Sequence, residues 1–148
     1  MKSTLLGLMA IASSMFVIDG GILPAEEAGK EDTAVYELRT YTTHPGRLPA
    51  LHKRFKDHTM GLFEKHGMTN VMYWTPVDQE DTLIYVIKHE SPEAAKKSWA
   101  GFRNDAEWKK VAKESEADGK IVMKVQSVYM KATDYSPSNK GGQDKSDE

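Results

Sequence analysis

The chain has 148 residues, 22 acidic and 20 basic side chains, five histidines and no cysteine. A formal net charge of −2, with both signs interspersed, excludes the clustered basic face of a nucleic-acid binder. Without cysteine there are no disulfides, no thiolate catalysis and no cysteine metal ligands.

Residues 1–25 carry the pattern of an export signal. Lys2 is a short positive start, residues 5–18 form an apolar run, Asp19-Gly20-Gly21 breaks it, and Ala25 offers a small residue for cleavage. The run falls short of the roughly 20 residues that a membrane span needs. A secreted or periplasmic protein is expected, free of the membrane after cleavage; retention of the run as an anchor is the alternative. Residues 26–33 read as a linker. Residues 136–148 combine Ser, Gly and charge and read as a disordered tail. One domain remains, residues 34–135, small enough that self-association would help its modest core.

The first predicted strand, residues 34–43, alternates along "VYELRTYTT" and breaks at His44-Pro45-Gly46. Leu48, Leu51, Phe55, Leu62 and Phe63 then recur on one face of a helix, with Pro49 in its first turn and Gly67 past its end. "NVMYWT" is a strand stopped by Pro76, and "TLIYVIKH" a nearly continuous apolar one. Ser91 and Pro92 open a helix that presents Ala95, Trp99 and Phe102 on one side; Asp105 caps a further helix carrying Trp108, Val111 and Ala112. In the last strand Ile121, Met123, Val125, Ser127 and Tyr129 face one way, and Val122, Lys124, Gln126, Val128 and Met130 the other. The order predicts an α+β, ferredoxin-like βαββαβ fold: a four-stranded antiparallel sheet with helices on one face. Either choice of strand parity leaves large apolar groups on the uncovered face, which points to a partner or a ligand.

"YELRTYTTHPGRL" resembles the opening motif of NIPSNAP domains, Glu-Leu-Arg-x-Tyr followed by Pro-Gly. The likeness continues through "WAGFRNDAEWKKVAKESEADGKIVMKVQSVYMKATDYSP", which is similar to the end of bacterial members, except that Ala106 stands where the family often has Pro. The resemblance implies a dimeric α+β barrel: two copies pair their sheets across a two-fold axis and enclose a cavity. It implies a homodimer, with a small hydrophobic ligand as a further possible partner, and no cofactor. It does not imply one reaction. Members of the wider superfamily include quinone-forming monooxygenases, haem-degrading enzymes and muconolactone isomerases, beside others without known catalysis. Two functions are therefore carried forward. One is an exported dimeric domain for hydrophobic-ligand binding or interaction; the other is a small cofactor-free monooxygenase- or isomerase-like enzyme using the barrel cavity.

Glu37 and Arg39 are the unusual residues, two charges sharing a strand face with Val35 and Tyr41. If Tyr36, Leu38 and Thr40 pack under the helices, this face points into the space between sheets. The pair is then either a buried ion pair fixing register, or an arginine that orients an anionic or carbonyl-bearing ligand beside a carboxylate that holds it or acts as base. His58, Tyr73 and Trp74 complete the candidate cavity set of Glu37, Arg39 and Tyr41. His52, His58 and His66 are not spaced as an i, i+4 ligand pair, so no metal site is expected. Neither a glycine-rich phosphate loop nor a nucleophile motif occurs.

Overall fold

The computed structural model describes residues 33–137. The expected signal peptide, nearly all of the linker and the tail beyond residue 137 lie outside these residues.

Strand β1 (Val35–Thr43) leads into α1 (Leu48–Arg54), a π-helical turn (Phe55–Thr59) and α2 (Met60–Lys65), which run on as one helix. Strands β2 (Thr69–Trp74) and β3 (Thr82–His89) follow, then α3 (Pro92–Asn104), α4 (Ala106–Ser115) and β4 (Val122–Met130). The sheet is antiparallel with order β2-β3-β1-β4. This is the α+β ferredoxin-like fold, with an extra helix before the last strand.

Local chemistry sets the boundaries. Gly46 adopts φ 73° in the turn after β1, and its N–H donates to the Asp81 carboxylate at 2.9 Å. Gly67, at φ 76°, ends α2, where the Gly67 and Met68 N–H groups donate to the Glu64 and Phe63 carbonyls. Ser91 accepts from the Ala94 N–H at 3.0 Å, with Pro92 beside it. Asp105 caps α4 through the Glu107 and Trp108 N–H groups at 2.7 and 3.3 Å. Its second oxygen takes Lys65 Nζ and His66 Nε2 at 2.9 and 2.8 Å, tying α2 to the start of α4. These donors hold the Asp105 carboxyl well below the usual carboxylate range. Ala106 at the first helical position leaves that cap intact.

The core lies between the sheet and the helices. Leu51, Phe55, Leu62 and Phe63 meet Leu83, Tyr85 and Ile87 of β3, with Trp99 and Phe102 closing from α3. Registry carries this inner face across the sheet: Glu37 pairs with Ile87, Arg39 with Tyr85 and Tyr41 with Leu83, and directly paired residues share a face. The face carrying Val35, Glu37, Arg39 and Tyr41 therefore packs under the helices. The expected orientation is reversed: Tyr36, Leu38 and Thr40 lie on the uncovered face. The charges tolerate the inner face because donors from other elements meet them there, as described below. The uncovered face carries Leu38, Ile84 and Val86, together with Met72, Trp74 and Val128, which are 51%, 49% and 56% exposed. On β4 the inner side is open too, with Val125 and Tyr129 exposed.

Candidate functional site

The site is built around a carboxylate with almost no contact with solvent. Glu37 is 1% exposed, yet four side chains donate to it. Arg39 Nη1 and Ser127 Oγ reach Oε1, each at 2.6 Å. Trp99 Nε1 and His89 Nε2 reach Oε2, at 2.6 and 3.1 Å. A carboxylate only accepts, so His89 carries a proton on Nε2. The donors come from β1, β3, α3 and β4. Burial alone would raise the Glu37 pKa; the bonds from His89, Ser127, Trp99 and Arg39 outweigh it and bring it from 4.5 down to about 2.

Arg39 is the working edge of this cluster. Its side chain keeps 16% exposure. The guanidinium lies over the Trp99 ring at 4.3 Å and the Tyr41 ring at 5.5 Å. Nη1 is taken by Glu37, whereas Nη2 makes only a 3.4 Å contact with the Tyr41 hydroxyl. Three buried polar atoms around it, Arg39 Nε, His89 Nδ1 and the Tyr85 hydroxyl, have no well-formed hydrogen bond. Burial, and next the neighbouring Tyr41, push the Tyr85 phenol well above its ordinary pKa, so it stays a neutral donor. The inner face of β4 borders the cluster, and Tyr129, 52% exposed, has its pKa raised by burial and then by Glu37.

The six residues singled out from sequence divide. Glu37, Arg39 and Tyr41 come together. Tyr73 stacks on Tyr85 with centroids 5.2 Å apart, on the far side of Tyr85 from Arg39, and its hydroxyl donates to Asn70 Oδ1 at 2.5 Å. Trp74 pairs with Ile84 and belongs to the uncovered face. His58 is exposed on the outer side of the π-helical turn, beside Arg54 and Ser115, and takes no part in the cluster. His89, Trp99 and Ser127 were not joined to the site by sequence reasoning. Strand parity held the signal for two of them: His89 alternates with Ile87 and Tyr85, and Ser127 is the small polar residue on the inner face of β4. Among the described residues no three metal-ligating side chains converge.

The sequence pattern of the NIPSNAP family matches residues 36–137. The chain belongs to the NIPSNAP family. No curated protein sequence matches it significantly. Its fold is similar to an uncharacterized NIPSNAP-like domain protein from Burkholderia xenovorans, with TM-score 0.63 and 14% identity over 72% of this chain and 90% of that one. A NIPSNAP family protein of unknown function from Agrobacterium tumefaciens gives TM-score 0.63 and 20% identity over 72% and 95%. SnoaB, a cofactor-independent oxygenase from Streptomyces nogalater, gives TM-score 0.54 and 12% identity over 71% and 98%. At these identities the likeness is one of fold.

Proposed function

We propose that this NIPSNAP domain binds a small hydrophobic molecule bearing a carboxylate or carbonyl oxygen, with Arg39 as its polar anchor. One observation carries the reading: Arg39 is fixed by Glu37 and Trp99, while two buried donors, its own Nε and the hydroxyl of Tyr85 paired with it across the sheet, have no hydrogen bond and its Nη2 makes only the 3.4 Å contact with Tyr41. Buried polar groups in folded proteins are nearly all hydrogen-bonded, so this cluster calls for an acceptor from outside the chain. A guanidinium stacked on an aromatic ring is pre-organised for that task. The domain works as a homodimer in this reading, with the apolar outer face of the sheet as the contact and burial contributing about 25 cal/mol per Å². Export with cleavage near Ala25 places it outside the cytoplasm.

The catalytic alternative draws support from the fold shared with a cofactor-independent oxygenase. It finds less support in the cluster, because a carboxylate with a pKa near 2 is a weak general base at neutral pH. Native mass spectrometry of protein purified from its own host tests the binding reading. The expected result is a co-purifying small molecule that is lost in Arg39→Met. A ligand retained at full occupancy by Arg39→Met would overturn the assignment to this site, and turnover of the molecule in air would favour the enzyme.

A further inference from the structure

A groove lies on the other side of the aromatic layer from Arg39. The helix is widened at residues 55–59: the Met60 N–H donates to the carbonyl of Phe55, five residues back, and the buried Thr59 hydroxyl donates to the Arg54 carbonyl at 3.2 Å. In a regular α-helix, residues five apart point about 140° away from each other. The wider turn brings Phe55 and Met60 to one side, where both line a groove of about 450 Å³ against β2 and β3. That volume falls within the range of small-molecule sites. Tyr73 and Leu83 extend its apolar floor.

The rim carries a net positive charge, Lys53 and Lys56 against the neighbouring Asp57. His52, Lys53 and Lys56 are exposed along it, and none of the lining residues is acidic. Lys53 is engaged by Asp57 at 2.5 Å, whereas Lys56 makes no ion pair among the described residues. Asp57 is held by Lys53 and interacts with Lys56 only at longer range, so an apolar floor lies beneath one excess positive charge, which selects for an amphipathic anion. We propose that this groove binds a small carboxylic acid, its alkyl or aromatic body on Phe55, Met60 and Tyr73 and its carboxylate at Lys56. The π-helical turn is the device that makes the floor. Tyr85, edge-on to Tyr41 at 5.4 Å and stacked on Tyr73 at 5.2 Å, lies between this groove and Arg39.

The test is an amide NMR titration of the full chain with decanoate and, separately, with 1-decanol. Decanoate is expected to bind at least tenfold more tightly, and to shift the amides of Lys56, Met60 and Thr75. Lys56→Glu should weaken decanoate at least tenfold at the Met60 and Thr75 amides and Lys56→Gln by less, with 1-decanol unchanged; Lys97→Glu, at an exposed lysine of α3 away from the groove, should leave these shifts as they were. Lys56 is exposed, and an unaltered spectrum of each free variant away from the substitution verifies its fold. The proposal is overturned by equal affinity for acid and alcohol, by no binding of decanoate, or by shifts confined to Ser127 and Tyr129 with none at Met60 and Thr75. The last result would return the acid to the Arg39 cluster and leave the function proposed above standing.

Discussion

Replacing Glu37 by Gln is the most direct probe of the cluster. The amide keeps the shape of the carboxylate but offers one oxygen and an NH2 group, so two of the four converging donors would face another donor. The displacement of the Glu37 pKa from 4.5 to about 2 corresponds to about 3 kcal/mol, at about 1.4 kcal/mol per unit. Breaking one member of a buried ion pair costs about 3–5 kcal/mol, which agrees in scale. The folded-state pKa is the lower one, so the stabilisation is fully present above pH 4.5 and is lost as the pH falls through 2. Urea unfolding of wild type and Glu37→Gln at pH 7, 5 and 3.5 is the assay. A gap of about 3 kcal/mol is expected at pH 7, narrowing steadily below pH 5. A gap under about 1 kcal/mol, or one that does not change with pH, would refute the reasoning.

Trp99→Phe removes one donor to Glu37 and weakens the stack under Arg39; a loss of about 1.5–3 kcal/mol is expected in the same urea assay, as for a hydrogen bond to a charged group. Asp105→Ala removes the cap of α4 together with its contacts to Lys65 and His66, and thermal melts should show a lower melting temperature, whereas Asp105→Asn should retain much of the cap. Light scattering at micromolar concentration should give twice the chain mass, and a charged substitution at Val128 on the uncovered face should shift it toward the monomer. Intact-mass analysis of protein recovered from its own host should show a chain beginning near Glu26; one beginning at Met1 would rule out cleavage.

The elements were readable because their signals are local. Gly67, Ser91-Pro92 and Asp105 act on groups within a few residues; alternation marked the first and last strands, and aromatic and β-branched runs the two between. The orientation of β1 was not readable, because the partners that make a buried Glu37 tolerable are remote: His89, Trp99 and Ser127 lie 52, 62 and 90 residues away. Read by itself, a strand with two charges on one face suggests that face is wet. The groove was hidden for another reason. A π-helical turn slips the helical phase by one residue, and spacing arguments built on 3.6 residues per turn carry Phe55 and Met60 to different sides.

One of the two readings of Glu37 and Arg39 is a buried two-member ion pair, and for such a pair replacing both by apolar residues costs much less than replacing one. The structure changes that arithmetic. Removing both charges still leaves Trp99 Nε1, His89 Nε2 and Ser127 Oγ without their acceptor, so a double apolar variant keeps most of the penalty of losing Glu37. The carboxylate is therefore better understood as a junction than as half of a salt bridge. It fixes β1, β3, β4 and α3 around one point, and a buried ion pair by itself adds little net stability. What the junction does accomplish is to hold one guanidinium over the Trp99 ring, 4.3 Å from its centroid, with a defined outer edge. Precision of that kind has little value to a core that apolar packing already stabilises. It has value where a ligand oxygen must be met in a fixed direction, which is why the arrangement of the donors, more than the presence of the charges, carries the functional reading.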